Sequence, residues 1–155
     1  MPLFSLLRRL RPARDPMAPI SNVPLSEQQL ADANAALGNG YLQAGDYLRA
    51  IEAFTMAVLH DPQFARAYFM MGMAYCCLGQ HRNAIGTYTQ AILLRSDKAM
   101  YFFGRARAYE ELGEWDEAIA DYESVLALEP DHGAALHQLE ELRKRLDLPT
   151  ESTVA

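Results

Sequence analysis

The chain's only thiols are two adjacent cysteines, Cys76 and Cys77. A thiol pair could attack an electrophile or hold a metal ion. Their setting, ARAYFMMGMAYCCLG, reads more simply as two small apolar residues on a methionine-rich helix. Neighbours on a helix point about 100° apart, so these two do not form an ordinary disulfide. That argues for a reducing, cytoplasmic compartment. The histidines, His60, His81, His132 and His137, make no i,i+4 pair and have no zinc spacing with the cysteines. The glycines form no phosphate-binding loop. The acidic residues Glu110, Glu111, Glu114, Asp116, Glu117, Asp121 and Glu123 alternate around helices, whereas glycoside chemistry needs two carboxylates opposed in a pocket. They are expected to form a solvated face. No enzyme activity, metal or cofactor is expected.

The elements that carry these residues recur. The stretch Ala65 to Lys98 is matched by Ala31 to Phe64 before it and by Ala99 to His132 after it, at a period of 34. The fourth position is Asn34, Tyr68 or Phe102, and the eighth is small (Gly38, Gly72, Ala106). Tyrosine is eleventh (Tyr41, Tyr75, Tyr109) and glycine fifteenth (Gly45, Gly79, Gly113). Alanine is twentieth (Ala50, Ala84, Ala118), an aromatic twenty-fourth (Phe54, Tyr88, Tyr122) and a small residue twenty-seventh (Ala57, Ala91, Val125). Positions four, seven, eight and eleven share one face of a helix, and twenty, twenty-four and twenty-seven share one face of a second. The glycines between them suit a left-handed residue that ends a helix. Gly72 and Ala84 let the paired helices approach, and Tyr88 fills the space beside them.

Seven columns in register across three copies resemble the tetratricopeptide repeat family, over about two-thirds of the chain. Two departures stand out. Arg105 occupies a place where the family usually has leucine, and Ser96 stands where the flanking copies have Pro62 and Pro130. The resemblance implies an all-α fold, a right-handed superhelix of antiparallel helix pairs. With a capping helix it would have seven helices.

The expected boundaries follow. Ser26 and Gln29 form a capping box, with Leu25 and Leu30 as its hydrophobic staple, and the first helix runs to about Ala44. Second helices start near Asp46, Gln80 and Glu114. A capping helix over 133–147 is expected to bury Leu136, Leu139, Leu142 and Leu146. The repeat domain would thus span 26–147, with repeats at 31–64, 65–98 and 99–132. A flexible basic segment and proline-broken linker (1–25) would precede it, and a short polar tail (148–155) would be disordered.

Half the residues are apolar, enough for a real core, and no apolar run is long enough to span a membrane. The net charge of −6 is uneven. Residues 1–16 carry Arg8, Arg9, Arg11 and Arg14 against Asp15, and the remainder is strongly acidic. An acidic body does not suit nucleic acid. In residues 3–11, Leu3, Leu6, Leu7 and Leu10 share a face, with arginines largely on the other. This pattern suits a membrane surface, an acidic partner or self-association; a floppy tail, or translation starting at Met17, are the other readings. It is not a secretory signal, because its apolar part is short and precedes the arginines.

By resemblance, the first helix of each pair lines a concave groove through repeat positions two, five, nine, twelve and thirteen. Here those are Asp32, Ala35, Asn39, Leu42 and Gln43, then Arg66, Phe69, Met73, Cys76 and Cys77, then Met100, Phe103, Arg107, Glu110 and Glu111. The middle helix is apolar nearly all round. Helix pairing uses one face of it and leaves Phe69, Met70, Met73, Cys76 and Cys77 either for a partner or for burial against the long first helix. Family members that clamp the acidic tail of heat-shock chaperones place Lys and Asn at positions five and nine of the first repeat. They place Asn at six of the second, and Lys and Arg at two and six of the third. Here these are Ala35, Asn39, Met70, Met100 and Gly104, so only Asn39 is kept. The expected partner is therefore a peptide or helix with apolar side chains, with Arg66 and Arg107 pairing to an acidic group and Asn39 holding its backbone. An adaptor or scaffold fits best. A secretion-type chaperone and a homodimeric or membrane-attached structural module are the rivals.

Overall fold

A computed structural model describes residues 24–147, and over this span the chain is all-α. The basic segment 3–11 and the tail 148–155 lie outside the described residues. Seven helices follow in order among those described: α1 (Glu27–Gln43), α2 (Tyr47–His60), α3 (Ala65–Cys77), α4 (His81–Leu94), α5 (Ala99–Leu112), α6 (Trp115–Leu128) and α7 (Gly133–Arg145). None is long and apolar enough to cross a membrane.

Local chemistry sets the ends. The Gln29 amide donates to Ser26 Oγ at 3.2 Å and the Ser26 amide to Gln29 Oε1 at 2.9 Å, completing the capping box. Asp46 caps α2 by accepting from the Arg49 amide. Gly45, Gly79 and Gly113 stop α1, α3 and α5 at φ of 77°, 71° and 73°, a region closed to most side chains. The turns that follow are too short for anything but antiparallel return.

Each pair closes by setting a large ring against a small residue. A β-carbon on Gly38 would sit 2.8 Å from Phe54 Cε1, and one on Gly72 only 2.6 Å from Tyr88 Cε1. In the third pair Ala106 and Tyr122 are both fully buried. Three core clusters result, each joining one pair to the first helix of the next or to α7. Gly72→Leu is therefore expected to lower stability by ~1–3 kcal/mol, because the ring that must move is itself packed against Phe69. Chemical denaturation reads this; an unchanged midpoint would mean that the α3–α4 contact is loose.

Two expectations change. In α7 the buried residues are Ala135, Leu139 and Leu142, while Leu136 is exposed and Leu146 only half-buried. The stripe keeps Leu139 and Leu142 but begins at Ala135, four residues before Leu139, and His132 Nδ1 caps the helix by accepting from the Ala135 amide at 3.1 Å. The acidic residues are also not one solvated face. Asp121 is buried, and Arg105 holds it with two parallel bonds, Nε–Oδ2 at 2.7 Å and Nη2–Oδ1 at 2.8 Å. Arg105 Nη1 also donates to Thr89 Oγ1 at 2.9 Å, so the unusual arginine ties α4, α5 and α6 together.

Candidate functional site

The first helices of the pairs leave two hollows between them. The larger, about 460 Å³, opens between α3 and α5. Its floor is aromatic. Phe69 is only 7% exposed, with its ring centroid 5.0 Å from that of Tyr101 and 5.6 Å from that of Tyr88. Gly104 makes room for this stack: a β-carbon there would lie 3.0 Å from Tyr88 Cζ and 3.4 Å from Phe69 Cε2. Phe103 forms a wall, held edge-on against Tyr122 at 5.6 Å and against the His132 ring at 5.0 Å. Met73 from α3 and Met100 from α5 line the rim, 37% and 53% exposed. Arg107 and Glu111 are the charged lining groups, both exposed.

Cys76 and Cys77 line the same hollow, Cys77 exposed and Cys76 half-buried. Burial pushes the Cys76 thiol up, against the opposing pull of its contact with the Tyr88 hydroxyl at 3.7 Å. A thiol held protonated is a poor nucleophile. Burial, and then Cys76, push the Tyr88 phenol up as well, so both groups are neutral at physiological pH. The hollow is thus an apolar surface with one cation and one anion at its edge. Its chemistry is that of contact and shape. Among the described residues, no group of three or more His, Cys, Asp or Glu side chains is placed to hold a metal ion.

The smaller hollow, about 220 Å³, lies between α1 and α3. Asp32, Ala35 and Asn39 come from α1, and Arg66 and Met70 from α3. Asn39 Oδ1 is buried there without a hydrogen-bond partner.

The structure distributes the residues singled out from sequence as follows. Phe69, Met73, Cys76, Met100, Phe103 and Arg107 meet in the larger hollow, and Asn39, Arg66 and Met70 in the smaller. Leu42 is half-buried in the α1–α2–α3 core and lines neither. Glu110 accepts a hydrogen bond from the Tyr122 hydroxyl and borders a separate depression toward α7. His81 and Gly104 belong to the larger hollow but were not legible as lining. His81 opens α4, and only the tight turn at Gly79 brings it beside the end of α3. Gly104 matters through the ring it admits.

Tetratricopeptide repeat profiles match residues 35–76, 67–99 and 99–132. No curated protein sequence is significantly similar to the chain. Many solved structures share its fold. The first TPR domain of Spaghetti (RPAP3), bound to the HSP90 peptide SRMEEVD, superposes with a TM-score of 0.76 at 28% identity, covering 79% of this chain and 97% of that one. The second TPR domain of human RPAP3, in complex with the HSP70 peptide SGPTIEEVD, gives 0.68 at 33% identity, covering 73% and 98%. The Arabidopsis OM64 TPR domain gives 0.74 at 25% identity, covering 77% and 98%.

Proposed function

Because the chain belongs to the tetratricopeptide repeat family, we propose that it acts as a protein–protein interaction scaffold holding an apolar peptide or helix of its partner between α3 and α5. The observation that carries this reading is the pair Met73 and Met100. Both stay open to solvent on opposite sides of a hollow with a rigid aromatic floor. Methionine adapts its shape to a ligand, and the buried rings below keep the floor fixed. Arg107 on the rim and Arg66 by the smaller hollow pair with an acidic side chain of the ligand, and the Asn39 side-chain amide, which lines the smaller hollow, holds its backbone.

Similar domains hold acidic peptides ending in Glu-Glu-Val-Asp. This chain has Ala35, Met70, Met100 and Gly104 where a carboxylate clamp needs cations or amides. It is expected to select apolar side chains over a terminal carboxylate.

Peptides selected from a random displayed library on the wild-type protein test this. Their affinity is then measured on Met73→Glu/Met100→Glu, after circular dichroism shows equal helicity. We expect binding to weaken by about tenfold or more, ~1.4 kcal/mol or above, since both residues are exposed and the fold does not depend on them. The free SRMEEVD peptide should bind more weakly than the selected ones. Equal affinity on both proteins would remove the hollow as the site. Tighter, strongly salt-dependent binding of SRMEEVD would replace the apolar reading with a charge-based one.

A further inference from the structure

Sulfur gathers at the larger hollow. Of the seven sulfur side chains among the described residues, four line it: Met73, Cys76 and Cys77 from α3 and Met100 from α5. The fold sorts the three neighbouring methionines of α3 by depth. Met71 is 6% exposed and packs toward α2, with its Sδ 3.9 Å from Thr55 Oγ1. Met70 is half-buried beside the smaller hollow. Met73 alone of the three is open to solvent, and Met100 stands open across the larger hollow from it. Met56 on α2 is 44% exposed, comparable to these two, but lines neither hollow. A thioether in contact with water is open to two-electron oxidation, and a buried one is shielded. The two side chains that would shape themselves to a ligand are therefore also ones that a peroxide reaches.

We propose that Met73 and Met100 are reversible oxidation sites through which a hydroperoxide closes the larger hollow to its apolar ligand. The inference rests on the reading of that hollow as the ligand site. In the step, a lone pair of the thioether sulfur takes one oxygen of the peroxide. The O–O bond breaks, an S–O bond forms, and the other oxygen leaves as water or an alcohol. Sulfur is oxidised by two electrons and the peroxide is reduced by two. Methionine sulfoxide reductases reverse the change: a dithiol gives up two electrons and two protons, becomes a disulfide, and the oxygen leaves as water. Oxidation converts a flexible apolar side chain into a polar one with a strong acceptor. An apolar ligand brings no donor, so binding would strip the sulfoxide oxygen of its water and give nothing in return. Two such groups on opposite sides of one hollow act on the same ligand. Leucine at these places would keep the rim apolar but could not be switched.

Oxidation interference on the full wild-type chain tests it. The protein is partly oxidised with hydrogen peroxide. Dithiothreitol then reverses sulfenic acids and disulfides, the exposed Cys77 included, and leaves sulfoxides in place. The mixture is passed over the tightest peptide selected on the wild type, held on a solid support. Tandem mass spectrometry scores each methionine in the bound and unbound fractions. Sulfoxide at Met73 and at Met100 is expected to be enriched about fivefold in the unbound fraction. Met56 sulfoxide should divide evenly, and buried Met71 should stay reduced. Methionine sulfoxide reductases A and B should return the unbound protein to the bound fraction. Enrichment of about twofold or more supports the proposal, and less overturns it. Equal enrichment of Met56 sulfoxide would signal general damage and overturns it too, as does a loss that the reductases leave in place. Met73→Glu/Met100→Glu separates this inference from the reading beneath it. If that variant loses the peptide while sulfoxide divides evenly, the hollow stands and the switch falls. If it keeps the peptide, the hollow falls as the site and the switch falls with it.

Discussion

Asp121→Ala is expected to destabilise the protein by ~3–5 kcal/mol, the cost of leaving a buried guanidinium unpaired. The Arg105 and Asp121 side chains are 18% and 6% exposed, so water cannot readily take the place of the lost carboxylate. Both carboxylate oxygens are used by the guanidinium, and the third contact runs to Thr89, whose own hydroxyl donates to the Ile85 carbonyl. Loss of Asp121 would thus be felt on α4, α5 and α6 together. The double variant Arg105→Leu/Asp121→Leu separates the worth of the pair from the damage of breaking it. Leucine is the residue the family usually has at the position of Arg105, and a well-packed apolar pair should be neutral or more stable by ~1–4 kcal/mol. Urea denaturation of the two variants decides the matter. A loss below ~1 kcal/mol in Asp121→Ala would mean that the pair behaves as an exposed one.

The same pair marks where the sequence is easily misread. Arg105 is visible as a departure from its column, but its partner sits in an acidic stretch that looks uniformly solvated. Helical spacing does set Asp121 apart from Asp116 and Glu123, since it falls three residues after Ala118 and four before Val125 on the inward face of α6. The uniform acidity of the stretch hides this, and the reading as one solvated face ignores the spacing. By contrast, the features that depend on few neighbours are plain in the sequence. The capping box at Ser26, the left-handed glycines and the small-against-large pairs Gly38–Phe54 and Gly72–Tyr88 each involve one short-range or periodic rule. In the cap helix Leu139 and Leu142 are buried as their spacing suggests, but the next inward place belongs to Ala135 and not to Leu136, and a small residue gives a stripe of leucines no signal. In the candidate site, spacing identifies the helix face but not the depth of each side chain. Phe69 and Met73 share that face, yet one is floor and the other rim.

That difference in depth separates two roles with one measurement. Phe69→Ala is expected to cost ~3–5 kcal/mol of stability, in the range for a buried aromatic cut to a methyl. The loss should fall toward the lower end, since the void would open into the 460 Å³ hollow above it and admit water. Enclosed cavities are the costlier ones because their lining loses contacts on every side. Met73→Ala, one turn further along the same helix face, removes a side chain already 37% exposed and should cost under ~1 kcal/mol. Thermal melts of the two variants, read beside their peptide affinities, then split the site. If the reading is right, Met73→Ala weakens binding at nearly unchanged stability, and Phe69→Ala loses stability first. A charge at Phe69 is unusable as a binding test for the same reason: it would force an unpaired carboxylate between Tyr88 and Tyr101. Should Phe69→Ala melt like the wild type, the aromatic floor would not be fixed. The preorganised surface on which the apolar-ligand reading depends would then be lost with it.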